Sequence, residues 1–143
     1  MHASPYLEFN GNCREAIDCY AKATGGTVVS MRTFGETPAA EHVPAEGRSR
    51  IMHAALQLGD GHFLMASDGM PGQPWQGIKG VSVALHPGTP AEAERLRGQL
   101  AEGGQVTLPI DRTFRAERFG MLVDPFGVPW IINGLGDVGD CEQ

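Results

Sequence analysis

The chain has 143 residues, 41% of them hydrophobic and 20% charged, which is enough for one ordinary core and too short for two comfortable domains. Its apolar runs, such as 81–85, are far shorter than the ~20 residues that cross a bilayer. The first residues, MHASPYLEF, lack a basic stretch followed by an apolar one, so we expect no signal peptide, no membrane contact and a cytoplasmic location.

The net charge of −6 excludes the basic surface on which nucleic-acid binding depends, so nucleic acid is not an expected partner. Arg112, Arg115 and Arg118 do cluster, but such a group is more typical of a solvated loop.

The three cysteines, Cys13, Cys19 and Cys141, form no CxxC pair and predict neither a disulfide framework nor a structural zinc site. Cys13 lies where a helix is expected to begin, and a helix dipole there would lower its thiol pKa. The alternative is that Cys13 is a small apolar residue of the core.

Residue patterns in the first half predict one helix and four strands. The helix begins at a capping box of Asn12 and Glu15, runs to about Thr24 and ends at Gly25-Gly26. Residues 35–49 contain two prolines, two glycines and three glutamates and predict a long loop. The strands are expected at 4–9, 27–31, 51–58 and 62–67, the last two forming a hairpin around Gly59-Asp60-Gly61.

The second half repeats this order after a flexible segment at 68–79. Thr89 is the expected N-cap of its helix, Pro90 occupies the first turn, and Gly103-Gly104 ends it. The strands are expected at 81–85, 106–110, 119–123 and 128–133.

This repetition predicts an α+β fold of two βαβββ modules within a single domain, 1–143. Because one helix covers only one face of a module's sheet, the curled mixed sheets are expected to form a cupped pocket. The expected parts are module 1 (1–68), a linker (69–79), module 2 (80–134) and a tail (135–143).

Three stretches carry a family resemblance: PYLEFNGNCREAIDCYAKATGG, HAALQLGDGHFLMASD and RFGMLVDPFGVPWIIN. Together they resemble the PhnB-like branch of the vicinal oxygen chelate (glyoxalase/bleomycin resistance/dioxygenase) superfamily, often labelled 3-demethylubiquinone-9 3-methyltransferase-like. The resemblance implies the glyoxalase/bleomycin resistance fold and a homodimer. The residues do not support the methyltransferase label, because a Gly-rich loop after the first strand with an acidic partner is missing, so no cofactor is expected.

Metal-dependent members of the superfamily bind a divalent ion through His and Glu at four positions. The resemblance implies that these positions hold Pro5, Gln57, Val81 and Ile131. Three of these side chains have no donor atom, and the neighbours Ser82 and Ile132 restore no site. We therefore expect no metal at the usual place.

Alternation along 51–58 places His53 and Gln57 toward the cup, and Met52, Ala54, Leu56 and Leu58 toward the helix. His53 is the candidate general base, although a lone His is more often a structural residue. Asp68 is the second catalytic candidate, with an ordinary turn cap as the alternative.

The remaining substrate-binding candidates are Trp75, Arg118, Phe119 and Trp130. Arg118 would hold a carboxylate or phosphate, so an anionic, partly apolar small molecule is the expected ligand. Trp75 would close a pocket or contact a dimer partner, and Trp130 would otherwise fill the core. The loop 35–49, with few apolar anchors, is the expected lid.

Three functions remain open. The first is a metal-independent small-molecule-binding protein of unknown substrate. The second is a metal-dependent lyase, isomerase or dioxygenase with non-standard ligands, such as His53 with Asp68 or His62. The third is a non-catalytic, resistance-type protein that sequesters its ligand. Metal analysis separates the second from the others, and turnover assays separate an enzyme from a binding protein.

Overall fold

In a computed structural model, the chain is described over residues 1–59, 61–70, 72–111 and 118–134. The predicted tail 135–143 with Cys141, the turn residue Asp60, and Arg112 and Arg115 lie outside the described residues. The chain divides into two compact units, Met1–Ile78 (unit 1) and Lys79–Gln143 (unit 2). This division falls at the end of the predicted linker.

Unit 1 contains one helix and a four-stranded mixed sheet. The strands lie in the order β1-β4-β3-β2, with β1 parallel to β4 and the other pairs antiparallel. The elements are β1 (Tyr6–Phe9), α1 (Cys13–Thr24), β2 (Thr27–Thr33), β3 (Ile51–Gly59) and β4 (His62–Asp68). The predicted order of elements is confirmed here.

The core of unit 1 lies between α1 and one face of the sheet. Ile17 and Tyr20 of α1 are fully buried, as are Phe9, Leu56 and Leu64 of the strands. The rings of Phe9 and Tyr20 have centroids 6.4 Å apart. Since burying a side chain of this size stabilises a fold by roughly 1.5–3 kcal/mol, this contact fixes which face of the sheet the helix covers.

Unit 2 repeats the arrangement of helix and sheet. Its strands lie in the order β5-β8-β7-β6, again with the first strand parallel to its neighbour. The elements are β5 (Val83–Leu85), α2 (Pro90–Ala101), β6 (Gln105–Asp111), β7 (Arg118–Val123) and β8 (Pro129–Gly134). The predicted cap of α2 is confirmed, because Thr89 Oγ1 accepts a hydrogen bond from Glu92 N at 3.1 Å.

Each helix is followed by a glycine that lies against a strand. A Cβ on Gly26 would lie 2.7 Å from the carbonyl oxygen of Gln57, and a Cβ on Gly104 would overlap that of Val123. The residues that follow these glycines, at the start of β2 and β6, are partnered with the same Gln57 and Val123. The two units therefore use glycine at corresponding positions to let the chain turn directly onto its sheet.

The long loop predicted at 35–49 contains local helical structure. It contains three short 3₁₀ helices, Phe34–Glu36, Pro38–His42 and Ala45–Gly47. Phe34 and Val43 are buried, and Phe34 N donates to Arg50 O at 3.0 Å. Thr33 Oγ1 accepts the capping hydrogen bond of Glu36 N, and the bonds that Thr33 donates to Glu36 Oε1 lower the pKa of Glu36. Among the described side chains of 35–49, Val43 is the buried hydrophobic one, so the expected scarcity of apolar anchors holds and the lid stays a prediction.

A β-bulge in β3 also changes one expected orientation. Met52 lies between Ile51 and His53 at a register shift against β2. Because a bulge interrupts the alternation of side chains, Ile51 and Ala54 are both buried, whereas Met52 and His53 are both half-buried. The expected burial of Ala54 and Leu56 is confirmed, but Met52 and Leu58 are only half-buried.

Within the residues that the structure describes, no helix combines the length and the apolar character needed to cross a membrane.

Candidate functional site

An open cleft of about 680 Å³ lies in unit 1. Glu8 and Ser67 line it, and they alternate along β1 and β4 with side chains that are buried against α1. The cleft therefore lies on the sheet face that α1 leaves uncovered. Its other walls come from Phe34 and Met52 and from the segment after β4, which contributes Met70 and residues 73–77.

Trp75 is the predicted ligand contact that the structure places in this cleft. Its indole Nε1 donates a hydrogen bond of 2.9 Å to the backbone oxygen of Glu8. β1 is an edge strand, so this bond satisfies a carbonyl group that no neighbouring strand can reach. The residue remains 36% exposed, and an exposed aromatic side chain held in a fixed position can pack against a ligand.

Glu8 was not singled out from the sequence, although it is the exposed acid of the cleft. A Cβ on Gly69 would lie 2.6 Å from Glu8 Oε1, so the carboxylate lies directly over that glycine. Among the described residues, none donates a hydrogen bond to this carboxylate or forms an ion pair with it. The alternation of buried Leu7 and Phe9 in YLEF was the signal that places Glu8 on the open face.

Asp68 lines the cleft, but its carboxylate faces the protein. Its Oδ1 accepts hydrogen bonds from Gly11 N at 2.7 Å and Cys13 N at 3.0 Å, and its Oδ2 accepts one from Ile51 N at 2.8 Å. The residue is only 3% exposed. These bonds join the start of α1 to β3 and β4, so they give Asp68 a structural role that needs no catalysis.

The same bonds correct the predicted start of α1. Asn12 makes no side-chain hydrogen bond to the helix, so the capping box with Glu15 is wrong. Asp68, supplied by β4, accepts the amide hydrogen bond of Cys13 at the first helical position instead.

Cys13 is a buried core residue rather than a reactive thiol. Burial, followed by the negative charge of Asp68, raises its pKa from 9.0 to about 12, and Arg14 offsets only part of this. A helix start without solvent does not activate a thiol, because loss of water opposes the thiolate more strongly than the dipole favours it. The apolar-filler interpretation of Cys13 therefore holds.

His53 lies next to Tyr6 rather than in the wall of the cleft. The distance between Tyr6 Oη and His53 Nδ1 is 3.4 Å, and their rings are 6.0 Å apart. Tyr6 and Glu8 are two residues apart on β1 and so lie on the same face of the sheet. Gln57 lies towards the other end of β3, opposite Phe63 of β4.

The other three predicted ligand contacts belong to unit 2. Arg118 is half-buried at the start of β7, and Phe119, also half-buried, is partnered with Asn133. Trp130 is 1% exposed, and its Nε1 donates to Asp124 Oδ2 at 2.8 Å, which makes it part of the core of unit 2. Their predicted association with His53 and Gln57 stays a prediction.

The metal that the superfamily resemblance implies does not fit the side chains present. Pro5, Val81 and Ile131 offer no donor atom, and Gln57 supplies one amide that binds divalent ions weakly. Over the described ranges, no three or more His, Cys, Asp or Glu side chains come together as a metal-binding group. No chemical step is therefore assigned to a metal.

Comparison with known proteins places the chain among relatives of similar length. The sequence model of a family described as 3-demethylubiquinone-9 3-methyltransferase matches residues 1–133. Protein YjdN from Escherichia coli (strain K12) is 35% identical over 141 residues, which cover 93% of this chain and 95% of YjdN. The crystal structure of protein PA1353 from Pseudomonas aeruginosa is 49% identical, with a TM-score of 0.87 over 96% of this chain and 99% of PA1353.

Two more distant structures show the fold alone. A PhnB protein from Bacillus cereus, described as a putative 3-demethylubiquinone-9 3-methyltransferase, is 21% identical with a TM-score of 0.76, covering 94% of this chain and 99% of its own. A glyoxylase/bleomycin resistance protein/dioxygenase domain from Frankia sp. EAN1pec is 13% identical with a TM-score of 0.64, covering 97% and 93%. The predicted fold and the predicted family resemblance are confirmed.

Proposed function

We propose that this chain, which belongs to the glyoxalase-like family described as 3-demethylubiquinone-9 3-methyltransferase, binds a small organic molecule in the cleft of unit 1. The proposal does not include methyl transfer, because the Gly-rich loop and acidic partner of a nucleotide-type cofactor fold are missing from the sequence. The reaction named in the family description is thus not assigned to this chain.

One observation carries the proposal: the exposed ring of Trp75 is fixed by a hydrogen bond at the rim of a cleft. Small-molecule sites are concave, mostly apolar and furnished with a few fixed polar groups. This cleft is concave and has fixed polar groups, but most of its exposed surface is polar, from side chains such as Glu8 and Ser67, and Met52 and Trp75 add apolar surface. The volume of about 680 Å³ lies within the range usual for such sites.

A test on His53, which lies beside Tyr6, distinguishes an enzyme from a protein that only sequesters its ligand. His53 is the general-base candidate, and because it lies beside the Tyr6 hydroxyl and outside the cleft lining, a substrate would have to extend beyond that lining to reach it. Turnover would depend on His53, whereas sequestration would not. Replacing His53 by Gln should therefore abolish turnover in an enzyme and leave ligand retention unchanged in a binding protein.

The cleft itself is tested by blocking it with a bulky side chain. Ser67→Phe would fill the cleft from β4 without entering the core, because residue 67 faces away from α1. Met65→Phe is the matched control, since residue 65 lies on the same strand and the same face but outside the cleft lining. Purified proteins would be denatured and their small-molecule content compared by mass spectrometry.

We expect a compound retained by the wild type and by Met65→Phe that is lost from Ser67→Phe. Equal retention by all three proteins would contradict the proposal. The predicted homodimer stays a prediction.

A further inference from the structure

We infer that the ligand of the unit 1 cleft is an organic cation, with an ammonium or amidinium group held between Glu8 and Trp75. This inference rests on the proposed function and adds the chemical class of the ligand. It depends on three observations: the charges that line the cleft, the state of the Glu8 carboxylate, and the aromatic surface beside it.

The described lining of the cleft contains acids and no base. Its charged residues are Glu8 and Asp68, and no Lys, Arg or His is among the lining residues that the structure describes. The guanidinium group of Arg50 lies nearby but is engaged with the protein, donating to Gly69 O at 3.0 Å and to Asn10 Oδ1 at 2.9 Å. The lining therefore presents carboxylates to a bound anion, while the charge of Arg50 acts on it only from outside the lining.

The two carboxylates are not equivalent. Asp68 is buried and accepts three backbone hydrogen bonds, so it has little capacity left for a ligand. Glu8 is exposed and, within the described parts of the chain, its carboxylate receives no hydrogen bond. Its lone pairs are available to an incoming N–H group, and a hydrogen bond between two charged groups is stronger than one between neutral groups.

Trp75 provides the second half of the site. Its indole nitrogen donates a hydrogen bond to the backbone oxygen of Glu8. The indole ring is therefore held next to the residue that carries the carboxylate. An indole face attracts cations more strongly than any other aromatic side chain. Phe34 and Met52 extend the apolar surface, which suits a cation with an apolar body.

The anion predicted from Arg118 concerned a residue of unit 2, and the cleft of unit 1 favours the opposite charge. A matched series of probes separates charge from shape: phenethylamine is a cation, phenethyl alcohol is neutral and phenylacetate is an anion, and all carry the same ring. Titration into the full chain would be followed by the fluorescence of Trp75. The variant Trp75→Phe, which retains Trp130, identifies any signal that does not come from the cleft.

We expect phenethylamine to bind at least about five-fold more tightly than phenylacetate, from one exposed ion pair and one cation–π contact. Glu8→Gln should bring the affinities of phenethylamine and phenethyl alcohol together. Glu15→Gln, which removes the same charge from α1 on the covered face of the sheet, should leave them apart.

Each other outcome contradicts a distinct part of the argument. Binding of phenylacetate as tight as that of phenethylamine, with a response of Trp75, would overturn the cationic ligand and leave the proposed cleft in place. An equal loss of preference in Glu8→Gln and Glu15→Gln would overturn the role of Glu8. No response of Trp75 to any probe would overturn both this inference and the proposed function.

Discussion

Asp68 in unit 1 and Ile132 in unit 2 occupy corresponding positions: each is partnered across a parallel strand pair with the last residue of its unit's first strand, Phe9 or Leu85. Both side chains are buried. The first is a carboxylate that accepts three amide hydrogen bonds, and the second is an aliphatic side chain.

The start of the helix differs in the same way between the two units. Unit 1 uses a carboxylate from the sheet to hold the first amide of α1, whereas unit 2 uses the hydroxyl of Thr89, which directly precedes α2. A cap that comes from the sheet also fixes the helix to it, while a local cap leaves that task to apolar packing. The same order of elements is thus held together by two different kinds of contact.

The largest effect is expected from removing the sheet-derived cap. Asp68→Ala would leave the amides of Gly11, Cys13 and Ile51 without their acceptor, two of them in buried positions. We expect the free energy of unfolding to fall by roughly 3–5 kcal/mol, measured by denaturant titration. Amide hydrogen exchange at Cys13 and Ile51 should accelerate most.

Asp18→Ala is the control for charge, because Asp18 is exposed on α1. A loss below about 1 kcal/mol in Asp68→Ala, or a loss no greater than that of the control, would mean that Asp68 does not fix α1 to the sheet.

An intermediate effect is expected from Cys13 at alkaline pH. Because its folded-state pKa is raised to about 12 from 9.0, folding keeps a proton on Cys13 that the unfolded chain releases. The resulting stability is complete below pH 9 and is lost as the pH rises towards 12. Between pH 8 and pH 10 the wild type should lose about 1.4 kcal/mol more than Cys13→Ala, by denaturant titration at each pH.

The remaining titrating groups are common to both proteins and cancel in this difference. If the free energy of unfolding changed with pH in the same way in the wild type and in Cys13→Ala, the thiol would have the same pKa in the folded and the unfolded chain. That result would contradict an effect of burial and of Asp68 on the pKa of Cys13. In unit 2 the corresponding residue, Ile132, is uncharged, so it has no such electrostatic effect on the start of α2.

The smallest effects are expected from the residues next to the two helices. Thr89→Ala should cost about 1 kcal/mol, because it removes the acceptor for the amide of Glu92. Asn12→Ala should change stability by less than about 0.5 kcal/mol, since Asn12 makes no capping hydrogen bond. Denaturant titrations of both variants test this, and a larger cost for Asn12 than for Thr89 would reverse the comparison.

Sequence reasoning succeeded where the partners are close along the chain. The cap at Thr89 involves a residue three positions away, and the paired glycines lie within three residues of the end of α1 and of α2. The hairpins and the repeated order of elements likewise depend on short-range patterns, and these were enough for the α+β fold.

It failed where the partners are distant or the periodicity is broken. The carboxylate oxygens of Asp68 accept hydrogen bonds from backbone amides that lie 17 to 57 residues away along the chain. The structural role of Asp68 therefore leaves no local pattern in the sequence. The bulge at Met52 adds one residue without changing the composition of β3. Alternation places Glu8 on the open face, but its contact with Trp75 joins residues 67 positions apart and follows from tertiary structure alone.

The glycines that follow the helices have a consequence for how the two halves of the chain can diverge. Gly26 and Gly104 each face a carbonyl oxygen of the adjoining strand, and a backbone atom cannot retreat as the end of a flexible side chain can. Any mutation that adds a Cβ at either position would force the helix away from its sheet. Selection on the fold alone would therefore keep glycine at both of these codons, while the residues that cap the two helices, Asp68 and Thr89, differ.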